Sequence, residues 1–156
     1  MKTSLEHLPQ KKQSEIKVVR NLICELIDAE FVILFGSYAR GDWVEDITVG
    51  KDNNVYEYKS DYDILVVVKD LPKYQYRGYR KKIKNKARKE KCQTRLSIII
   101  HSLEEFNREI ENGSYFFVDI KKEGILLYSS ERFDIPEEKE LSIKERRLKA
   151  EKHFNN

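Results

Sequence analysis

SDYDILVVV, residues 60–68, decides the fold. Residues 62–68 read as a core β-strand, and 64–68 are all apolar. Two carboxylates, Asp61 and Asp63, stand at its head. Side chains two apart on a strand point to one face, roughly 6.5–7 Å apart at the backbone. At an effective dielectric near 20, two such charges repel by about 2–3 kcal/mol. A strand of Ile, Leu and Val rarely carries that pair without compensation. A divalent cation supplies it, and hard oxygen donors with room for water and phosphate suit Mg²⁺ or Mn²⁺.

The complementary half is LFGSYARGD, residues 34–42. Residues 31–35 (FVILF) form a short apolar strand ended by Gly36 and Ser37. Glycine lets the backbone approach a ligand closely. SYAR makes one helical turn before Gly41 breaks it, so Ser37 sits at a helix N-terminus, which favours an anion. Arg40 is within reach of a phosphate there, or forms a local surface pair with Asp42. For the Gly36-Ser37 bend to meet the aspartates, the end of the first strand must lie beside the start of the second. The two strands therefore run antiparallel. Metal-binding carboxylates facing a phosphate cradle suit phosphoryl or nucleotidyl transfer.

Outward from this pair, residues 11–29 read as a helix, with Ile16, Val19, Ile23 and Leu26 as its apolar stripe. Residues 42–60 read as an insertion, with 47–49 and 55–58 flanking the turn-rich GKDNN as a β-hairpin. A helix over 74–90 buries Tyr76, Tyr79, Ile83 and Ala87. Residues 95–101 form a third core strand. Ser102 with Glu105 is a capping box opening a helix that Asn112-Gly113 closes. A short helix over 115–122 ends at Gly124, placed as a left-handed cap glycine, and a strand follows over 125–128. The predicted fold is a small α/β (α+β) domain with a mixed sheet flanked by helices, over residues 1–129. A linker follows over 130–141. Ser142 with Glu145 opens a last helix over 142–156.

With 156 residues the chain holds one core rather than two. No apolar run approaches the 18 or so residues that span a bilayer, so no membrane is expected. The start, MKTSLEHLPQKK, has no apolar signal core. Cys24 and Cys92 make neither a disulfide framework nor a zinc set and read as free thiols in the cytoplasm. The net charge of +3 hides an asymmetry: residues 73–91 hold ten Lys/Arg and one acid, Glu90, so the rest of the chain sums to −6. That segment reads first as a solvated helix face. An acidic protein or a tRNA is the alternative partner, and nucleic acid is not the favoured one.

Gly36-Ser37, a spacer and Asp61-x-Asp63 entering a strand resemble the DNA-polymerase-β-like nucleotidyltransferases, particularly the minimal prokaryotic type. The resemblance covers roughly residues 15–129. It implies that Gly36 and Ser37 hold a nucleoside triphosphate, with ATP the expected one, and that Asp61 and Asp63 bind Mg²⁺. It also implies AMP transfer to a hydroxyl, such as a tyrosine of a HEPN-domain toxin. Residues 104–128 and 142–156 resemble the region preceding, and the start of, such a HEPN domain. Two features depart from the family pattern. The spacer from Ser37 to Asp61 holds 23 residues where short members have about ten, and the hairpin accounts for the excess. The third carboxylate that many members carry on the next strand is replaced by Ser97, with His101 on the same strand face as a substitute group. The alternative implied by that loss is a binding module or antitoxin that acts by contact.

Overall fold

The structure is a computed structural model that describes residues 1–138, with 46–48 and 56–58 described by backbone alone. The helix expected over 142–156, and the end of the linker before it, lie outside the described residues.

Four strands form the central sheet: β1 (Ala29–Phe35), β4 (Tyr62–Val68), β5 (Leu96–Ser102) and β6 (Ile125–Ser129). Their order is β5-β4-β1-β6. β1 runs antiparallel to both of its neighbours, and β4 runs parallel to β5, so the sheet is mixed as expected. The hairpin is a separate two-stranded sheet, β2 (Glu45–Val49) and β3 (Val55–Lys59).

From Phe31 onward the two faces of the sheet are covered by different helices. Val32, Leu34, Tyr62, Ile64 and Val66 pack on one side with Ile16, Val19 and Ile23 of α1 (Gln10–Leu26) and Ile83 and Ala87 of α3 (Tyr76–Lys89). Phe31, Ile33, Leu65 and Val67 pack on the other with Phe106 and Ile110 of α4 (Leu103–Glu111) and Phe117 and Ile120 of α5 (Tyr115–Glu123). Both faces being covered explains the unbroken apolar run at 64–68. Truncating a fully buried isoleucine or leucine among these to alanine would cost about 2–5 kcal/mol.

Several details differ from the sequence reading. α1 stops at Leu26, with Ile27 extended, rather than at 29, because β1 begins at Ala29. The strand takes in buried Glu30, which accepts from Ser130 Oγ at 2.6 Å and pairs with Arg132 at 2.8 Å. Those partners follow β6, a hundred residues away in the chain. Gly124 is extended (φ −71°, ψ 161°), not left-handed. Its small size is what matters, since a Cβ there would stand 2.8 Å from Ile33 Cγ2. The capping box at α4 is half formed. Ser102 Oγ accepts from the Glu105 N–H at 3.1 Å, but the Glu105 carboxylate turns to His101 and Lys73.

Candidate functional site

The site sits where the C-terminal end of β1 meets the N-terminal end of β4. Antiparallel pairing sets Phe35 opposite Asp63, so the bend after β1 falls beside that aspartate. Gly36 takes φ +75° and ψ −156°, a conformation almost confined to glycine. The backbone passes so close to Asp63 that a Cβ on Gly36 would overlap Oδ2 and stand 3.1 Å from Cγ.

The turn after the bend, α2 (Ser37–Arg40), is closed by Gly41 in the left-handed conformation, whose N–H bonds to the Ser37 carbonyl. Tyr38 fixes it in place. Its ring is fully buried, stacks on Trp43 at 5.5 Å and meets Tyr62 edge-on at 4.6 Å. Ser37 is thereby pinned beside the head of β4.

Tyr62, between the two aspartates, points into the opposite face. Its hydroxyl donates to the buried Glu15 carboxylate at 2.6 Å. Glu15 also accepts from the Gln93 N–H at 2.7 Å and from Thr94 Oγ1 at 3.1 Å. Burial alone would push the Glu15 carboxyl up, but these donors and nearby Lys12 outweigh it and hold the group below the usual carboxylate range. With Tyr62 fixed inward, strand alternation sends Asp61 and Asp63 to the other side together. Asp63 behaves as half of a crowded pair. Burial, then the Asp61 charge, raise its carboxyl above the usual range, and Arg40 and a hydrogen bond with Ser97 only partly offset them.

A cavity of about 430 Å³ opens here, lined by Gly36, Ser37, Arg40 and Asp63 from the first half of the chain. Four of the five residues singled out in the sequence thus share one cavity. Asp61 is not part of its lining, although its charge is felt by Asp63. Arg40 makes the local pair with Asp42 at 3.3 Å and also reaches Glu123 at 3.6 Å.

The opposite wall belongs to α5, where Tyr115, Phe116, Asp119 and Glu123 face the same cavity. Sequence reasoning missed this wall. The available signal was the recurrence of Tyr115, Asp119 and Glu123 at every fourth residue, which places them along one side of a helix.

Ser97 pairs with Asp63 across parallel strands, the position where the resemblance leads one to expect a third carboxylate. His101 does not serve as its substitute. It lies four residues further along β5, opposite Val67, and its Nδ1 is 3.2 Å from Glu105. At 3.3 Å per residue that is about 13 Å along the strand. Among the described residues no group of three His, Cys, Asp or Glu is gathered as a metal cage. No helix of the described residues is long and apolar enough to cross a membrane. The chain matches no family model and no curated protein.

Proposed function

We propose that this cavity binds a nucleoside triphosphate with Mg²⁺ or Mn²⁺ and transfers the nucleotidyl group to a hydroxyl acceptor. The observation that carries this is the seating of the Asp63 carboxylate against the side-chain-free backbone of Gly36, at the head of the Ser37 turn. The donor set suits the metal. Two adjacent carboxylates, one raised by burial and then by the other's charge, accept a cation readily. Mg²⁺ is commonly held by one or two carboxylates while it keeps waters and phosphate oxygens, so a full protein cage is not needed. The bound cation would neutralise charge on the triphosphate.

Asp61 and Asp63 would hold it, and Gly36, Ser37 and Arg40 would bind and orient the phosphates. In the reaction the acceptor oxygen attacks the α-phosphorus and gives its proton to solvent water. The bond from that phosphorus to the bridging oxygen breaks, and pyrophosphate leaves. ATP as donor and a HEPN-domain tyrosine as acceptor rest on the sequence resemblance. The fold of that family and cytoplasmic location belong to the same proposal. The test is incubation with α-labelled and γ-labelled ATP, Mg²⁺ and a HEPN-domain protein. Transfer of the α label alone, lost in Asp61→Asn and Asp63→Asn, is the expected result.

A second reading is favoured by Ser97, which cannot ligate a metal strongly or act as a base. In it the same cavity holds nucleotide without turnover, and the chain acts as a binding module or antitoxin. Metal-dependent ATP binding with no pyrophosphate release selects this reading. Asp61→Ala then shows whether the biological effect needs the metal.

A further inference from the structure

The basic segment is not spread evenly round its helix. With 100° per residue, Arg77, Lys81, Lys84 and Arg88 fall within a stripe about 60° wide along one flank of α3. All four are exposed. The stripe is about 16 Å long at 1.5 Å per residue. Lys82, Lys86 and Lys89 lie on the other flank, and Ile83 and Ala87 are buried between the two.

The stripe borders a built feature. Lys84 and Arg88 line a cleft of about 600 Å³ between α3 and the start of β5, which Arg95 closes from the far side. Within the segment only Lys73 has an acidic partner among the described residues, Glu105 at 3.8 Å. The stripe and Arg95 therefore present five cations that have no acidic partner among the described residues. A row of that length is held against self-repulsion by the fold and suits an extended polyanion.

Two observations favour a nucleic-acid strand over an acidic protein. Tyr74, one turn ahead of the stripe, leaves 83% of its surface exposed, and an exposed ring beside a basic track is a platform for stacking an unpaired base. At the other end the track meets the head of the sheet, where the Tyr62 N–H bonds to the Arg95 carbonyl at 2.9 Å. A strand on the track therefore ends at the backbone of Tyr62, the residue between the two aspartates.

We propose that the α3 flank and the α3–β5 cleft form a binding surface for single-stranded nucleic acid, phosphates on Arg77, Lys81, Lys84, Arg88 and Arg95. Binding needs neither the nucleotide nor the metal. That the strand end lies close enough to be an acceptor rests on the nucleotidyl-transfer reading.

The test uses the full chain and fluorescently labelled single strands of about 16 nucleotides, RNA and DNA of one sequence, without ATP or divalent metal. With four or five phosphates neutralised, the slope of log affinity against log salt is about −3, so affinity falls roughly 50-fold between about 50 and 200 mM salt. Lys84→Gln/Arg88→Gln/Arg95→Gln is expected to weaken binding at least tenfold, while Lys82→Gln/Lys86→Gln/Lys89→Gln, with the same charge change, keeps most of it. Binding of either strand with that asymmetry supports the proposal. Equal losses in the two triple variants, equal affinity for duplex, or binding of polyglutamate without binding of the single strands overturns it. Repeating the measurement with Asp63→Asn separates the two proposals, since strand binding should persist where transfer is lost.

Discussion

A Cβ on Gly36 would overlap Oδ2 of Asp63, so the bend and the acid occupy one space that only glycine leaves open. Gly36→Ala therefore meets two penalties, the side-chain overlap and a φ of +75° that L-residues rarely adopt. The expected loss of stability is about 1–3 kcal/mol for the backbone conformation alone, with nucleotide binding lost as well. Urea denaturation and ATP titration check it. Gly78 is the control: a Cβ there meets nothing within 4 Å, so Gly78→Ala, in a helix, should be neutral or stabilising.

Asp63 makes the opposite kind of prediction. Its folded-state carboxyl is raised above the ordinary value, so the folded protein holds its proton more tightly than the unfolded chain does. The ionised carboxylate is thus a cost to folding. That cost is absent below the ordinary carboxylate range and grows as pH rises through the raised value. Asp63→Asn should melt a few degrees higher than the parent at pH 7, with the gain fading toward pH 3–4. Mg²⁺ should narrow the gap by stabilising only the parent. Thermal melts over that pH range, with and without Mg²⁺, measure both effects.

The strands and the bend were legible because each rests on local pattern, and the Gly36–Asp63 encounter because the chemistry read from those residues requires the bend and the acids to meet. The apolar runs at 31–35 and 64–68, the glycines at 36 and 41 and the acids at 61 and 63 each act within a few residues of themselves. The rest depends on partners distant in the chain. Glu30 enters β1 only because Ser130 and Arg132 meet it. The fourfold spacing of Tyr115, Asp119 and Glu123 shows that they share a helix side, but the packing of α5 on the sheet decides that this side faces Asp63. The cations of 73–91 read as a solvated face because composition does not show that two of them share a cleft with Arg95.

The Glu15 network turns Tyr62 away from the site and is sensitive to acid. The Glu15 carboxyl is held below its ordinary value, so its contribution is present above the ordinary carboxylate range and is lost as pH falls through the folded value. Glu15→Gln should cost about 1.5–3 kcal/mol at pH 7, the worth of hydrogen bonds to a charged acceptor, and the parent and the variant should converge in acid. Tyr62→Phe removes one of those donors and should cost about 1–2 kcal/mol. Denaturant midpoints at pH 7 and near pH 3 separate the charge from the packing.

Ser97→Asp tests what the missing third acid costs. Ser97 stands directly across from Asp63, so the new carboxylate would join a site already crowded with negative charge. Without divalent metal the variant should melt several degrees below the parent. Three acids together also make a stronger cation site, since affinity for Mg²⁺ rises with ligand charge. Millimolar Mg²⁺ should therefore raise the melting temperature of Ser97→Asp more than that of the parent. Where the parent binds ATP without turnover, the variant should gain pyrophosphate release, because it regains a group that can ligate metal or accept a proton. Melting curves with and without Mg²⁺, followed by a pyrophosphate assay, give both readouts. A melting temperature that Mg²⁺ leaves unmoved in the parent and the variant alike would remove the metal, and with it nucleotidyl transfer, from the account of this cavity.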